Sequence, residues 1–492
     1  MTVYDKNRLV QRIGAREPVS ITFKQMDDHA MGVINSVLVK ALSMMDSLFI
    51  LNSLVTVVRE LGENAQKANA KRVLFEKLGR DIDVPEQYRT VMAEHSPKMK
   101  ELARTLGSDL ATSRYDVTVA FRFDGDDLLV QVSNNVRALD DEMERVRLRL
   151  ERGGGAGTFM EVFREIQDTT EGGGVGLVLA IFMLKNIGVN PGYLSVGGDG
   201  DATRATLRIP GNLKPVEITT EIKRQILGDV KGIPTFPETI EKLLALCDDP
   251  DSSMEKIADA IERDPALTTD VVRLSNSAGF ISGKRIYNVV DAVKTIGLKN
   301  VRALLLVSSA RSIMDSRYEK FEEIWEHCNR VSLYARYISH DYRIAGRFDN
   351  IATAGLLHDL GMIVLLSTDM ELMQRIASIV SDRRLINTAV LEEVSIGISH
   401  SALGGLIARR WNFPDYLIEA IQHHHAPLDA SEEFRDIVHT VYLANMLVGI
   451  EERKYEYVYI EETVLERFGL SKGDRAREYH AKLMELAKEE KE

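Results

Sequence analysis

The chain has 492 residues, a formal net charge of −12, and 45% hydrophobic against 28% charged residues. That balance excludes a disordered chain, a collagen-like repeat and a disulfide scaffold, and at roughly 150 residues per domain the length predicts two or three modules. Basic and acidic residues number 28 and 29 over 1–214 but 34 and 45 beyond it, so the acidity belongs to the second half. Without a basic stripe the chain lacks the footprint of a nonspecific nucleic-acid binder.

Cys247 and Cys328 stand far apart with no CxxC, which fits a reducing cytoplasm. The opening MTVYDKNRLVQRIG lacks the apolar core of a secretory signal. The longest apolar stretch noted, Val175 to Leu184, falls short of the ~20 residues that cross a bilayer, so a cytoplasmic protein without a membrane span is expected.

From Asp27 to Val73 apolar residues recur at helical spacing without a proline, predicting two long amphipathic helices. YDVTVAFRFDGDDLLVQVSNN then gives two alternating runs about Asp124, Gly125, Asp126 and Asp127, a hairpin signal. A charged helix over 140–151, a glycine-rich piece, the apolar helix in EGGGVGLVLAIFMLKNIG and a strand pair, GYLSVGG and ATRATLRIP, follow. This first part reads as an α+β layer, with helices on one face of a mixed, mostly antiparallel sheet. Gly211 to Lys223 carries Pro215 and no apolar period, and from Ile226 to Leu447 helical periodicity runs almost throughout. The expected organisation is an N-terminal segment over 1–19, an α+β domain over 20–212, a linker over 213–223, an all-α domain over 224–448, and a tail over 449–492 with a strand-like YEYVYI and a charged final helix.

Glu60, Asn64 and Lys67 lie on one helix face at i, i+4 and i+7. A carboxylate that orients a nucleophile, an amide oxygen for Mg²⁺ and a cation for phosphate are what a nucleoside triphosphate site requires. Gly172 to Gly176 precede an apolar helix whose first N–H groups can receive phosphate. ELGENAQKA resembles the N-box, and EGGGVGLVLA the second glycine box, of the histidine-kinase/Hsp90-type (GHKL) ATPase domain, with ATLRIP as the closing strand. The resemblance covers about 20–212 and implies ATP with Mg²⁺. Glu60 would be the acid in an active ATPase, Asn64 the Mg²⁺ ligand, Lys67 a phosphate contact, and Gly172, Gly174 and Gly176 the lid hinge. Where that family has an Asp-x-Gly-x-Gly box this chain reads Asn134-Asn135-Val136-Arg137-Ala138, so Asn134 keeps an acceptor for the adenine amino group and loses the charge. His29 lacks a phosphoacceptor motif, and autophosphorylation is not expected.

Eight of the 11 histidines fall between positions 327 and 439. His358 and Asp359 adjoin in AGLLHDLGMIVLL, and His327, His400, His424 and His425 add imidazoles from IWEHCNR, ISHSALGGL and AIQHHHAP. Imidazoles beside a carboxylate bind divalent metals, and water on such a centre can cleave a phosphoester. With GIPTFPETIEKLLAL, ERDPALTTDVVRLSNSAGF, NVVDAVKTIGLKNVRALLL and RRWNFPDYLIEAIQHHH, the set resembles the HDOD branch of the HD superfamily over roughly 224–448. That resemblance implies a regulatory or scaffolding module of bacterial signalling.

It also implies His327, His358, Asp359, His400, His424 and His425 as ligand positions, shared with HD-GYP phosphodiesterases, for a divalent ion such as Fe or Mn. Asn445 replaces the final aspartate, and Ala-Pro-Leu-Asp-Ala after His425 replaces the acid and Gly-Tyr-Pro loop, so cyclic-dinucleotide cleavage is not expected. The alternative is a relict centre whose histidines hydrogen-bond one another and backbone carbonyls. His340, His423 and His439 read as ordinary residues, Asn276 as a helix end, and Trp411 as buried area before Pro414.

Together these readings describe a regulator in which nucleotide at the first module shifts what the second presents to other signalling proteins. The other classes are a metal-dependent phosphohydrolase, an ATPase or protein kinase, and a pure scaffold. A homodimer through the early helices is also expected, and neither nucleic acid nor membrane.

Overall fold

A computed structural model describes residues 5–95, 106–155, 159, 162, 175–214, 221–276, 285–318, 322–344, 348–368, 370, 373–374 and 389–489. The chain divides into two compact units at Ile218/Thr219, apart from Glu393–Ser395, which group with the first.

In the first unit, period-two alternation builds β1 (Val19–Phe23), β2 (Val117–Asp124), β3 (Asp127–Asn134), β4 (Leu194–Asp199) and β5 (Ala202–Ile209), ordered β1-β2-β3-β5-β4. The expectation of a mixed sheet is corrected: all four pairings are antiparallel, with Val119 opposite Val132 and Val130 opposite Leu207. Alternation predicts faces but carries no information on strand direction. Gly125, at φ +62°, supplies the positive φ that the tight β2–β3 turn needs. Ile21, Val119, Phe121, Val130 and Leu207 are buried on one face, and Ser20, Thr22 and Arg122 are exposed on the other.

The helices of this unit are α1 (Lys6–Gly14), α2 (Asp28–Met44), α3 (Leu51–Lys77), α4 (Pro85–His95), α5 (Gly107–Thr112), α6 (Asp140–Gly154) and α7 (Val175–Asn186). α3 lies on β2 and β3 and packs against α7. It is not amphipathic at its start: Ser53–Gly62 are all buried, and burial relaxes from Glu63. At its far end Lys71 and Arg72 hold Glu142 of α6 at 2.5 and 3.0 Å.

The second unit is helical throughout its described residues. Its helices are α8 (Glu221–Lys231), α9 (Glu238–Asp248), α10 (Met254–Glu262), α11 (Pro265–Ser275), α12 (Val289–Arg317), α13 (Glu322–Asp341) and α14 (Phe348–Leu357). They continue as α15 (Leu360–Thr368), α16 (Ala389–Ser395), α17 (His400–Arg410), α18 (Asp415–His423), α19 (Arg435–Glu451), α20 (Glu462–Arg467) and α21 (Arg475–Glu489). Gly297, at φ +77°, breaks α12 into two helices.

The GIPTFP segment is clamped by α17 and the turn after it. Trp411 Nε1 donates to the Pro234 carbonyl at 2.9 Å, Arg410 Nε to that of Ile233 at 2.9 Å, and the Trp411 ring stacks on Phe236 with centroids 5.2 Å apart. Asn276 does more than end α11: its amide exchanges hydrogen bonds with Ile286 N and O at 2.9 and 2.7 Å, which closes the loop to α12.

One reading changes here. YEYVYI is not a strand: Tyr457–Tyr459 form one 3₁₀ turn, and the Tyr457 hydroxyl pairs with His480 Nδ1 of α21 at 2.6 Å. Among the described residues, one segment meets the length and hydropathy of a membrane span, Ile351–Thr368, at mean hydropathy 1.6, and 72% of it is buried inside the protein. His358 and Asp359 interrupt it, as a core helix pair built around a polar site requires.

Candidate functional site

Four helical elements and a helix end deliver the second unit's histidines to one point. α13 carries His327, the α14–α15 junction His358 and Asp359, the first residue of α17 is His400, and His424 and His425 follow α18. Two glycines permit the approach. A Cβ on Gly355 would sit 2.7 Å from Ser332 Cα, so α13 and α14 meet backbone to backbone and bring the His327 and His358 rings to 5.3 Å. A Cβ on Gly361 would fall on the His400 carbonyl, so α15 and α17 likewise touch.

The rings share one orientation. Nδ1 of His358 donates to the Gly355 carbonyl and that of His424 to the Ile421 carbonyl, each at 2.8 Å. Nδ1 of His400 donates to Glu392 at 2.7 Å, and that of His327 to Glu452 at 2.9 Å. Each Nδ1–H is thereby committed outward, and Nε2 is the atom left for the centre. All four Nε2 atoms face the Asp359 carboxylate, at 3.3 Å for His400 and His424, 3.6 Å for His358 and 3.8 Å for His327. His425 completes the cluster with Nε2 3.0 Å from His400 Nε2.

The environment sets the charges. Burial drives His358 down to about 3 and lowers His424 and His425 as well, so these rings are neutral. Burial would also lower His400, but Glu392 and Asp359 outweigh it and raise that ring to about 10, so its Nε2 holds a proton at neutral pH. Burial would raise Asp359, and the surrounding imidazoles hold it well below the usual carboxylate range instead.

A divalent cation fits these residues. Asp359, His400, His424 and His425 offer ligand atoms within 4.8 Å of one another, and His327, His358 and Asp359 form a second such group, with Asp359 common to both. Among the described residues, His358 Nε2 is buried with no hydrogen-bond partner, a lone pair suited to an ion.

Asn445 of α19 meets this centre through His327, whose Nε2 is 3.1 Å from Asn445 Oδ1. With Nδ1–H donated to Glu452, His327 Nε2 and Asn445 Oδ1 stand side by side as two lone-pair atoms, as two ligands of one ion would.

Two acids of the centre escaped sequence reasoning. Glu392 is fully buried, and Glu452 sits at the end of α19. Their only signal is spacing, eight residues before His400 and seven after Asn445.

In the first unit the expected nucleotide residues that the structure describes lie on α3, on β3 and at the start of α7. Glu60 is buried, while Asn64 and Lys67 are half-buried where α3 emerges, and Lys67 Nζ is 3.7 Å from Glu63. Asn134 packs on another side of α3: its Nδ2 donates to the Ala65 carbonyl at 3.2 Å and to Asn69 Oδ1 at 3.0 Å, and Asn69 stands nine residues from Glu60, half a turn round the helix. Gly176 lies buried in the first turn of α7, and Gly172 and Gly174 lie outside the described residues.

Comparison with known proteins bears on the second unit. A family model, the HDOD domain, matches residues 233–427. The chain is 27% identical over 479 residues to an uncharacterized protein of Treponema pallidum (strain Nichols), covering 96% of this chain and 92% of that one. It is similar to an HDOD domain protein of unknown function from Geobacter sulfurreducens, at 24% identity over 52% of this chain and 87% of that chain, with a TM-score of 0.42. It is also similar to the MmoQ response regulator (fragment 20–298) of Methylococcus capsulatus, at 22% identity over 50% and 94% of the two chains, with a TM-score of 0.26. Residues 233–427 match the HDOD domain model, and His327, His358, Asp359, His400, His424 and His425 all fall within them.

Proposed function

We propose that this protein is a cytoplasmic bacterial signal-transduction regulator whose HDOD unit holds a divalent transition ion without hydrolysing a substrate. The observation that carries this reading is the common orientation of the rings, with Nδ1 committed outward and Nε2 aimed at Asp359. His327, His358, Asp359, His400, His424 and His425 would hold the ion. Fe²⁺ or Mn²⁺ would supply a fixed positive charge there. The burial of His358 and His424 at 0% and His400 at 1% exposure supports a tightly held ion. The neutral amide at Asn445 also removes a charge that a hydrolytic ion would use.

The first unit is proposed to bind ATP with Mg²⁺ through Asn64 and Lys67, with Asn134 facing adenine and the glycines at 172, 174 and 176 closing over phosphate. Occupancy there would bias which partner-binding arrangement the HDOD unit adopts toward other signalling proteins, by differential affinity. A homodimer remains part of this proposal.

The test combines elemental analysis of the purified chain, calorimetry with ATP and Mg²⁺, and a phosphodiesterase assay on bis(p-nitrophenyl) phosphate after Mn²⁺ loading. The expected result is bound metal, saturable ATP binding lost in Asn64→Ala, and no phosphodiester turnover. Turnover abolished by Asp359→Ala would replace this reading with a phosphohydrolase, and brisk ATP hydrolysis abolished by Glu60→Ala would replace it with an ATPase.

A further inference from the structure

Asn445 and Glu452 stand seven residues apart, two turns along α19 and its C-cap, so their side chains share a face. They grip His327 from opposite sides: Asn445 meets Nε2 at 3.1 Å and Glu452 accepts Nδ1–H at 2.9 Å. Both lie beyond the segment matched as HDOD, which ends at 427.

We propose that Glu452 is a positioning residue of the metal centre that compensates for the neutral side chain at Asn445. By accepting Nδ1–H it fixes the His327 tautomer with its lone pair on Nε2, the atom nearest Asp359, and it places an anion one ring away from the ion. A carboxylate behind a ligating imidazole raises the ring's basicity, so part of the charge missing at Asn445 reaches the ion through His327. The inference rests on the metal-holding reading above.

Glu452 is held for this task. Lys454 Nζ lies 2.7 Å from its second oxygen. The preceding residue, Glu451, accepts hydrogen bonds from the Tyr334 hydroxyl at 2.5 Å and from His480 Nε2 at 3.0 Å, and pairs with Arg330. Arg330 and Tyr334 lie on α13, within two turns of His327, and His480 lies on α21, so the end of α19 is tied on two sides. The tail is thereby built into the centre.

The test uses the full chain and Co²⁺ as the probe. Affinity is measured by chelator competition and ligation by the visible absorption of the bound ion, for wild type, Glu452→Gln, Asn445→Asp and the double variant. Glu452→Gln is expected to weaken Co²⁺ binding roughly 10–100-fold, the range for loss of such a partner. In the Asn445→Asp background the same change is expected to cost only a few-fold. Side-chain ¹⁵N spectra of the metal-free chain give a second readout: Glu452→Leu, which leaves Nδ1–H without an acceptor, should move the His327 proton from Nδ1 to Nε2, toward Asn445 Oδ1, while the other rings keep their shifts. Wild-type Co²⁺ binding that Glu452→Gln leaves unchanged overturns the inference alone. A wild-type chain that takes up no ion overturns the metal-holding reading, and this inference with it.

Discussion

Glu392 takes two hydrogen bonds from one residue: the backbone N–H and the ring Nδ1–H of His400 both reach Oε2 at 2.7 Å. The carboxylate therefore caps the start of α17 and orients the ring in one contact. Glu392→Gln removes the charge that keeps His400 basic and is expected to weaken divalent-ion binding by about 10–100-fold, read by chelator competition. Equal affinity in the variant would mean that the helix cap is the whole of Glu392's role.

Proton release should accompany ion binding. His400 is raised to about 10, so below that pH an ion must displace its Nε2 proton. Apparent affinity should therefore rise about tenfold per pH unit between about pH 7 and 9 and level off above the ring's own value. Calorimetry in two buffers of different ionisation heat counts the protons; a count near zero contradicts the charge assignment.

Glu142 gives the first unit an acid-sensitive lock. Burial would raise its pKa, but Lys71 and Arg72 outweigh that and bring it to about 2 from 4.5. A depressed carboxylate stabilises the fold above its unfolded value, and that contribution is lost as pH falls from about 4.5 toward 2. Glu142→Gln is expected to cost about 2–3 kcal/mol at neutral pH and to flatten the stability profile over that acid window, measured by urea unfolding across pH.

Trp411 tests the clamp on the GIPTFP segment. Trp411→Ala removes both the stack on Phe236 and the bond to the Pro234 carbonyl and should destabilise by about 3–5 kcal/mol. Trp411→Phe keeps a ring and leaves the carbonyl without its donor, at about 1–2 kcal/mol. Chemical denaturation of the two variants separates packing from hydrogen bonding, and equal losses would assign the effect to the bond.

The histidines of the centre are legible in the sequence because histidine is scarce, 11 in the chain, and their phrases stand in a fixed order. Glu392 and Glu452 are not, since they are two among 74 acidic residues and only folding shows which of them meets a ring. The strands are legible from alternation, whereas their uniform antiparallel pairing is set by hydrogen bonding between distant segments. Alternation misleads at YEYVYI because Tyr457 finds its partner in His480 of a helix instead of in a neighbouring strand. In α3 the apolar spacing is read correctly as helix but not as buried all round, because helix period reports one favoured face and not how many neighbours surround it.

The contact between Gly361 and His400 makes the size of the centre a backbone property. Where two helices touch through a missing side chain, their separation is a ruler that the rings cannot stretch, and it would set which ions the proposed centre accepts. A Cβ at position 361 would fall on the His400 carbonyl and meet the Gly404 amide at 2.6 Å, so α15 and α17 would have to part although no ligand had changed.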